Sequence, residues 1–144
     1  MNADRQTIDQ LVRDLFAAFD NRGGVRPPLG TLRRILLPEA VIVKNVGPAM
    51  EIHGVEAFIA PRERILTDGT LTEFQETEQE ARTDIHGNVA QRLSLYRKSG
   101  VMSGQPFETR GLKTLQLVRT PDGWRVSALA WDDARDGFEP PEHL

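Results

Sequence analysis

The chain has no cysteine among its 144 residues. A disulfide framework, a thiol nucleophile and a cysteine-ligated zinc are therefore excluded. No apolar run approaches the length of a membrane span, and the first 20 residues are too charged for a signal peptide. Basic residues do not cluster: 18 Lys and Arg against 21 Asp and Glu leave a net charge of −3, so nucleic acid is not an expected partner. The three histidines, His53, His86 and His143, stand in unrelated local contexts and build no metal site. The stretches "NRGG" and "KSGVMSG" lack the spacing of a phosphate loop and read as turns. These absences predict a cytoplasmic protein with no metal, no cofactor, no nucleic-acid partner and no membrane attachment.

What is present is an ordinary globular mixture, 39% hydrophobic and 27% charged, enough for one domain over 1–144 with its own core. "ADRQTIDQLVRDLFAAFDNRGG" places Ile8, Leu11, Val12, Leu15, Phe16 and Phe19 at helical spacing, ended by Asn21, Gly23 and Gly24. A short helix over 31–37 stops at Pro38. "AVIVKNV" and "MEIHG" read as two strands around the Gly47-Pro48 turn, and "GVEAFIAPRERIL" as a helix kinked by Pro61. From Leu71 onwards the pattern is one of long strands. Glu76, Glu78 and Glu80 form a solvated row on one face of the first of these. The tail, 134–144, is expected to be poorly ordered.

A two-residue turn at Pro121-Asp122 sets the facing of the last hairpin. Unbroken pairing puts Leu115, Leu117, Trp124, Val126, Ala128 and Ala130 on one face, with Lys113 and Asp132 at its far end. Leu112, Thr114, Gln116, Val118, Ser127, Leu129 and Trp131 fall on the other. The first set reads as a core that leaves space. The second, joined by Tyr96, reads as a surface that meets another copy of the chain.

Three helices, a short hairpin and a long meander, carried by "LFAAFD", "LPEAVIVKNVGPAMEIHGVEAF" and "GLKTLQLVRTPDGWRVSALAW", resemble the nuclear-transport-factor-2-like superfamily. The resemblance covers Ile8 to Asp133. It implies a cone-shaped α+β fold, with a curved antiparallel sheet of about six strands wrapped round the N-terminal helix, three helices, a cavity and a homodimer. It also implies a small-molecule ligand, handled either by a cofactor-independent lyase, isomerase or hydrolase or by a non-catalytic ligand-sensing or interaction module. Ketosteroid isomerases are the informative comparison. Their first-helix tyrosine would fall at Leu15, their general-base aspartate at Lys44, and their oxyanion-hole aspartate at Lys113. A leucine donates no hydrogen bond and a lysine is no carboxylate, so steroid isomerisation by those groups is excluded.

The resemblance instead points both Lys44 and Lys113 into the cone, with Asp132 diagonal to Lys113. These three are the catalytic candidates. An enclosed lysine pair would attract an anion or lower one amine's pKa; the alternative is that both reach the rim and Lys113 and Asp132 form a surface ion pair. Asp132 and Asp133 are adjacent, and alternation lets only one face inward. Leu15, Phe19, Phe58, Leu93, Leu115, Ala128 and Ala130 are the expected ligand-contacting wall.

Overall fold

A computed structural model describes residues 2–144. Helix α1 (Asn2–Ala17) lies along the inner face of a six-stranded sheet. Its stripe is the centre of the core: Ile8 and Val12 are fully buried, and Leu15, Phe16 and Phe19 nearly so. Single 3₁₀ turns at Arg22–Gly24 and Leu29–Thr31 lead to a one-turn helix α2 (Leu32–Ile35) and then to strand β1 (Leu36–Lys44). Strand β2 (Glu51–His53) returns beside β1, and α3 (Val55–Thr67) crosses the mouth of the cone, running through Pro61 as one helix. Four strands follow: β3 (Leu71–His86), β4 (Val89–Met102), β5 (Gln105–Thr120) and β6 (Gly123–Asp133).

The sheet order is β2-β1-β6-β5-β4-β3. All neighbours are antiparallel except β1 and β6, which run parallel. No helix among the described residues is long and apolar enough to cross a membrane. Asn21, which the sequence marks only as a helix stop, is buried and ties three elements together. Its amide donates to the Leu66 and Leu71 carbonyls at 2.9 and 2.7 Å, and its Oδ1 accepts from the Phe74 amide at 2.8 Å.

Two bulges decide which side chains face inward. The last hairpin pairs as expected from Thr120↔Gly123 to Leu117↔Val126, but Gln116 then pairs with Ala128. Ser127 is an extra residue on β6, and an extra residue inverts the alternation beyond it. Leu129, Trp131 and Asp133 therefore turn inward, while Ala128, Ala130 and Asp132 turn outward. The expected facing is corrected from that point to the end of the strand. In β3 a second irregularity, at Gln79, separates Glu78↔Tyr96 from Glu80↔Leu95. The expected row of three solvated glutamates is thereby split. Glu76 and Glu78 face inward into ion pairs with Lys113 and Arg92, and Glu80 faces outward.

The outward carboxylate of Glu80 accepts from His143 Nδ1 at 3.0 Å and from the Leu144 amide at 2.6 Å. Arg110 donates to the carbonyls of Pro140 and Pro141. The segment 134–144, expected to be poorly ordered, is thus held across the outer face of β5, β4 and β3. Leu95, an outward residue between Glu80 and Leu112 in the pairing, is 1% exposed beneath it.

Candidate functional site

The helices do not fill the cone. Between α1, α3 and the inner face of the sheet lies a cavity of about 670 Å³. Leu15 from α1, Phe19 from the turn that follows it, Phe58 from α3, Phe74 from β3, Phe107 from β5 and Leu129 and Trp131 from β6 supply its apolar wall. The aromatic rings meet edge to face: Phe19 on Phe58 with centroids 6.1 Å apart, and Phe58 on Trp131 at 5.9 Å. Such pairs add attraction beyond their buried area and hold the wall in shape.

Charged groups lie in rows set by the strand pairing. Lys44, Trp131 and Lys113 are side by side on β1, β6 and β5. Both lysines line the cavity. Lys113 is 5% exposed, and its ammonium donates to Glu76 Oε1 at 3.0 Å. It also lies 4.6 Å from the Phe16 ring centroid and 4.7 Å from that of Tyr96. Its counter-charge is Glu76, not Asp132. Asp132 points outward to Arg135, at 2.8 Å, and leaves the cavity to its neighbour Asp133.

Asp133 joins two groups of β4. Lys98 reaches it at 2.8 Å, and the Tyr96 hydroxyl donates to its Oδ1 at 2.5 Å. Tyr96 is fully buried inside the cone, so its expected place on an outer association surface is corrected. Burial first, and the Asp133 charge second, push the phenol far above its usual range; it remains a proton donor. Gly111 lies opposite Tyr96 in the pairing, and a Cβ there would overlap the phenol ring. This is the physical reason that β5 carries a glycine at that point.

Four more groups at the mouth were not among the site candidates read from the sequence. His53 and Glu51 from β2 and Arg62 and Arg64 from α3 all line the cavity. His53 Nε2 lies 3.1 Å from Glu51 Oε1, and this contact, with the Lys44 charge next, lowers the Glu51 pKa. Arg62 could have been found: it follows Phe58 by one turn, on the stripe that includes Val55, Ile59 and Leu66. In all, five cationic side chains (Lys44, Arg62, Arg64, Lys98 and Lys113) meet three carboxylates (Glu51, Glu76 and Asp133) around the cavity. The chain as a whole carries a net charge of −3, so the cavity is more positive than the protein that forms it.

The remaining expected wall residues lie elsewhere. Leu93, Ala128 and Ala130 face outward and, with Val41, Val43 and Thr114, border a separate hollow of about 380 Å³ on the sheet's outer surface. The two alanines remove bulk outside the cone rather than inside it. Leu115 is buried in the core, 1% exposed, behind the main cavity. No group of three or more His, Asp or Glu side chains suited to a metal is present among the described residues.

No protein-family model matches the chain, and no curated protein matches it in sequence. Solved structures do match in shape. A nuclear transport factor 2-like superfamily protein from Salmonella enterica aligns with a TM-score of 0.76 at 16% identity, over 97% of this chain and 98% of that one. LinA aligns with a TM-score of 0.76 at 19% identity, over 96% and 95% of the two chains. A nuclear transport factor 2-like protein with a cystatin-like fold from Novosphingobium aromaticivorans aligns with a TM-score of 0.69 at 20% identity, over 94% and 84%. At these identities the likeness is one of fold.

Proposed function

Since the chain has the nuclear-transport-factor-2-like fold, we propose that its cone binds a hydrophobic small molecule and acts on it as a cofactor-independent lyase, isomerase or hydrolase. One observation carries this reading: an apolar cavity of about 670 Å³ whose wall holds ionisable groups in fixed pairs. That volume lies within the range of ligand sites, and a few polar groups in an apolar wall orient what enters. Fold alone does not assign chemistry; the groups able to move a proton here are Asp133, Glu76 and His53. His53, whose Nε2 lies 3.1 Å from Glu51 Oε1 at the cavity, is the acid–base group of this reading, because an imidazole oriented by a carboxylate can both give and take a proton.

A thermal-shift screen of apolar compounds tests binding. Ligands should raise the melting temperature of the native chain, and Leu129→Trp, which fills the cavity, should abolish the effect. Exchange of a bound ligand's acidic C–H for deuterium, followed by NMR, tests chemistry and should be lost in His53→Ala. Binding without exchange would favour the second reading, a non-catalytic ligand-sensing module. One observation speaks for that alternative: Glu76 and Asp133 are each already held by a lysine.

We further propose that two copies associate through the outer sheet face. Val41 is 45% exposed there beside Val43, Leu93, Ala128 and Ala130, an apolar set suited to cover by a second copy.

A further inference from the structure

Helix α3 brings two guanidinium groups to the cavity, Arg62 and the more exposed Arg64, and Arg62 is held there without a carboxylate. The Cζ of Arg62 lies 3.8 Å from the centroid of the Phe58 ring and 5.6 Å from that of Trp131. One of its donors reaches the Phe58 carbonyl at 3.2 Å. Among the described residues it makes no ion pair, whereas Lys98 and Lys113 are matched at 2.8 and 3.0 Å. Among the described residues no partly buried side chain hides a polar atom that lacks a partner, so the unused donors of Arg62 are not sealed inside protein. They are reachable by solvent, on a residue that lines the cavity.

A guanidinium seated over an aromatic ring, with one donor fixed on a backbone carbonyl, has its remaining N–H donors restricted in direction. That geometry suits two parallel hydrogen bonds to one planar carboxylate. Partial burial lowers the Arg62 pKa, as expected for a charge removed from water with little compensation, and the group stays cationic. The Glu51 and Glu76 charges are close enough to be felt at Arg62, which favours a monoanion over a doubly charged phosphate. Lys44, the cation expected to serve this purpose, pairs with Glu51 across the strands and lowers the pKa of that carboxyl; its ammonium is a point charge without the planar fork of a guanidinium.

We propose that Arg62 anchors an anion subsite, and that the ligand of the cone is a planar, apolar monocarboxylate with its carboxylate on Arg62 and its body among Phe19, Phe58 and Trp131. This rests on the reading that the cone takes a hydrophobic small molecule, and the test separates the two. Cinnamate and its neutral amide, cinnamamide, share one apolar body and differ in charge. Calorimetric titration of each into the native chain should show the acid bound at least about ten-fold more tightly. Arg62→Met should bind both with the native affinity for the amide. Arg62→Lys, which keeps the charge but loses the fork, should retain part of the preference, and Lys44→Met should retain it whole. Circular dichroism confirms folding of each variant; should Arg62→Met not fold, the Arg62→Lys comparison decides. Equal binding of acid and amide by the native chain overturns the anion subsite and leaves the cavity reading standing. An undiminished preference in Arg62→Met moves the anchor elsewhere and refutes the proposal. Failure of both probes to bind overturns the subsite and the reading beneath it.

Discussion

Removing the Lys113 ammonium should destabilise the protein more than removing almost any other single charge. The pair it forms with Glu76 is 3.0 Å long, and the two side chains are 6% and 9% exposed. At an effective dielectric of about 20, two unit charges at that distance attract by about 5 kcal/mol. Desolvating both ions costs several kcal/mol each, so the pair as a whole contributes little net stability. Its halves do not share that balance. Lys113→Met leaves the Glu76 carboxylate buried with its partner gone, which should cost about 3–5 kcal/mol. In a chain of this size that corresponds to roughly 10–15 °C in melting temperature. Changing both members, Glu76→Met with Lys113→Met, replaces the pair by apolar groups of similar volume and should return stability to within about 1–2 kcal/mol of the native value. Urea unfolding followed by far-ultraviolet circular dichroism measures all four corners of this cycle. A loss below about 1 kcal/mol in Lys113→Met would mean that water reaches the pair as it reaches a surface salt bridge. A double variant as unstable as the sum of its singles would mean that the two charges do not interact, and the reasoning about the cavity wall would fail with it.

Two further outcomes concern the N-terminal clamp and the outer sheet face. Asp4 accepts from both Arg119 terminal nitrogens, at 2.8 and 2.7 Å, and from Trp124 Nε1 at 3.1 Å; the Arg119 hydrogen bonds first, then the Trp124 one, hold its carboxyl well below the usual range. A depressed folded pKa contributes stability above the unfolded value, near 4, and loses it as pH falls towards the folded one. The stability gap between native protein and Asp4→Asn should therefore begin to narrow below about pH 5 and go on narrowing as pH falls towards the folded pKa, read by tryptophan emission, and a gap that does not narrow with acid would refute the clamp. On the outer face, Leu93→Glu should convert a dimer to a monomer in light scattering, whereas Trp131→Glu should disturb the fold, because Trp131 packs on Phe58 inside the cone; a native chain that is already monomeric, or a Leu93→Glu variant that still dimerises, would refute association through this face.

The stripe from Ile8 to Phe19 was legible because a helix facing a core repeats its apolar residues every three to four positions, and nothing distant can alter that spacing. The long strands and their turns were legible for the same local reason. Facing within the strands was less secure, since it depends on an unbroken count. In β6 the bulky residues are Trp124, Val126, Leu129 and Trp131; their spacing of two, three and two carries the bulge at Ser127 in plain view. Strict alternation passes over that signal and sends Ala128, Ala130 and Asp132 into the cone in place of Leu129, Trp131 and Asp133. Arg62 was likewise present on the stripe of α3, but its want of a carboxylate is a property of everything around it. The partners of Lys113 and Tyr96, each 37 residues away, have no local signature at all. Periodicity determined which segments become helix and strand. Only the closing of the sheet round α1, where side chains compete to fill one finite space, decided which charges were buried together and which were left without a carboxylate.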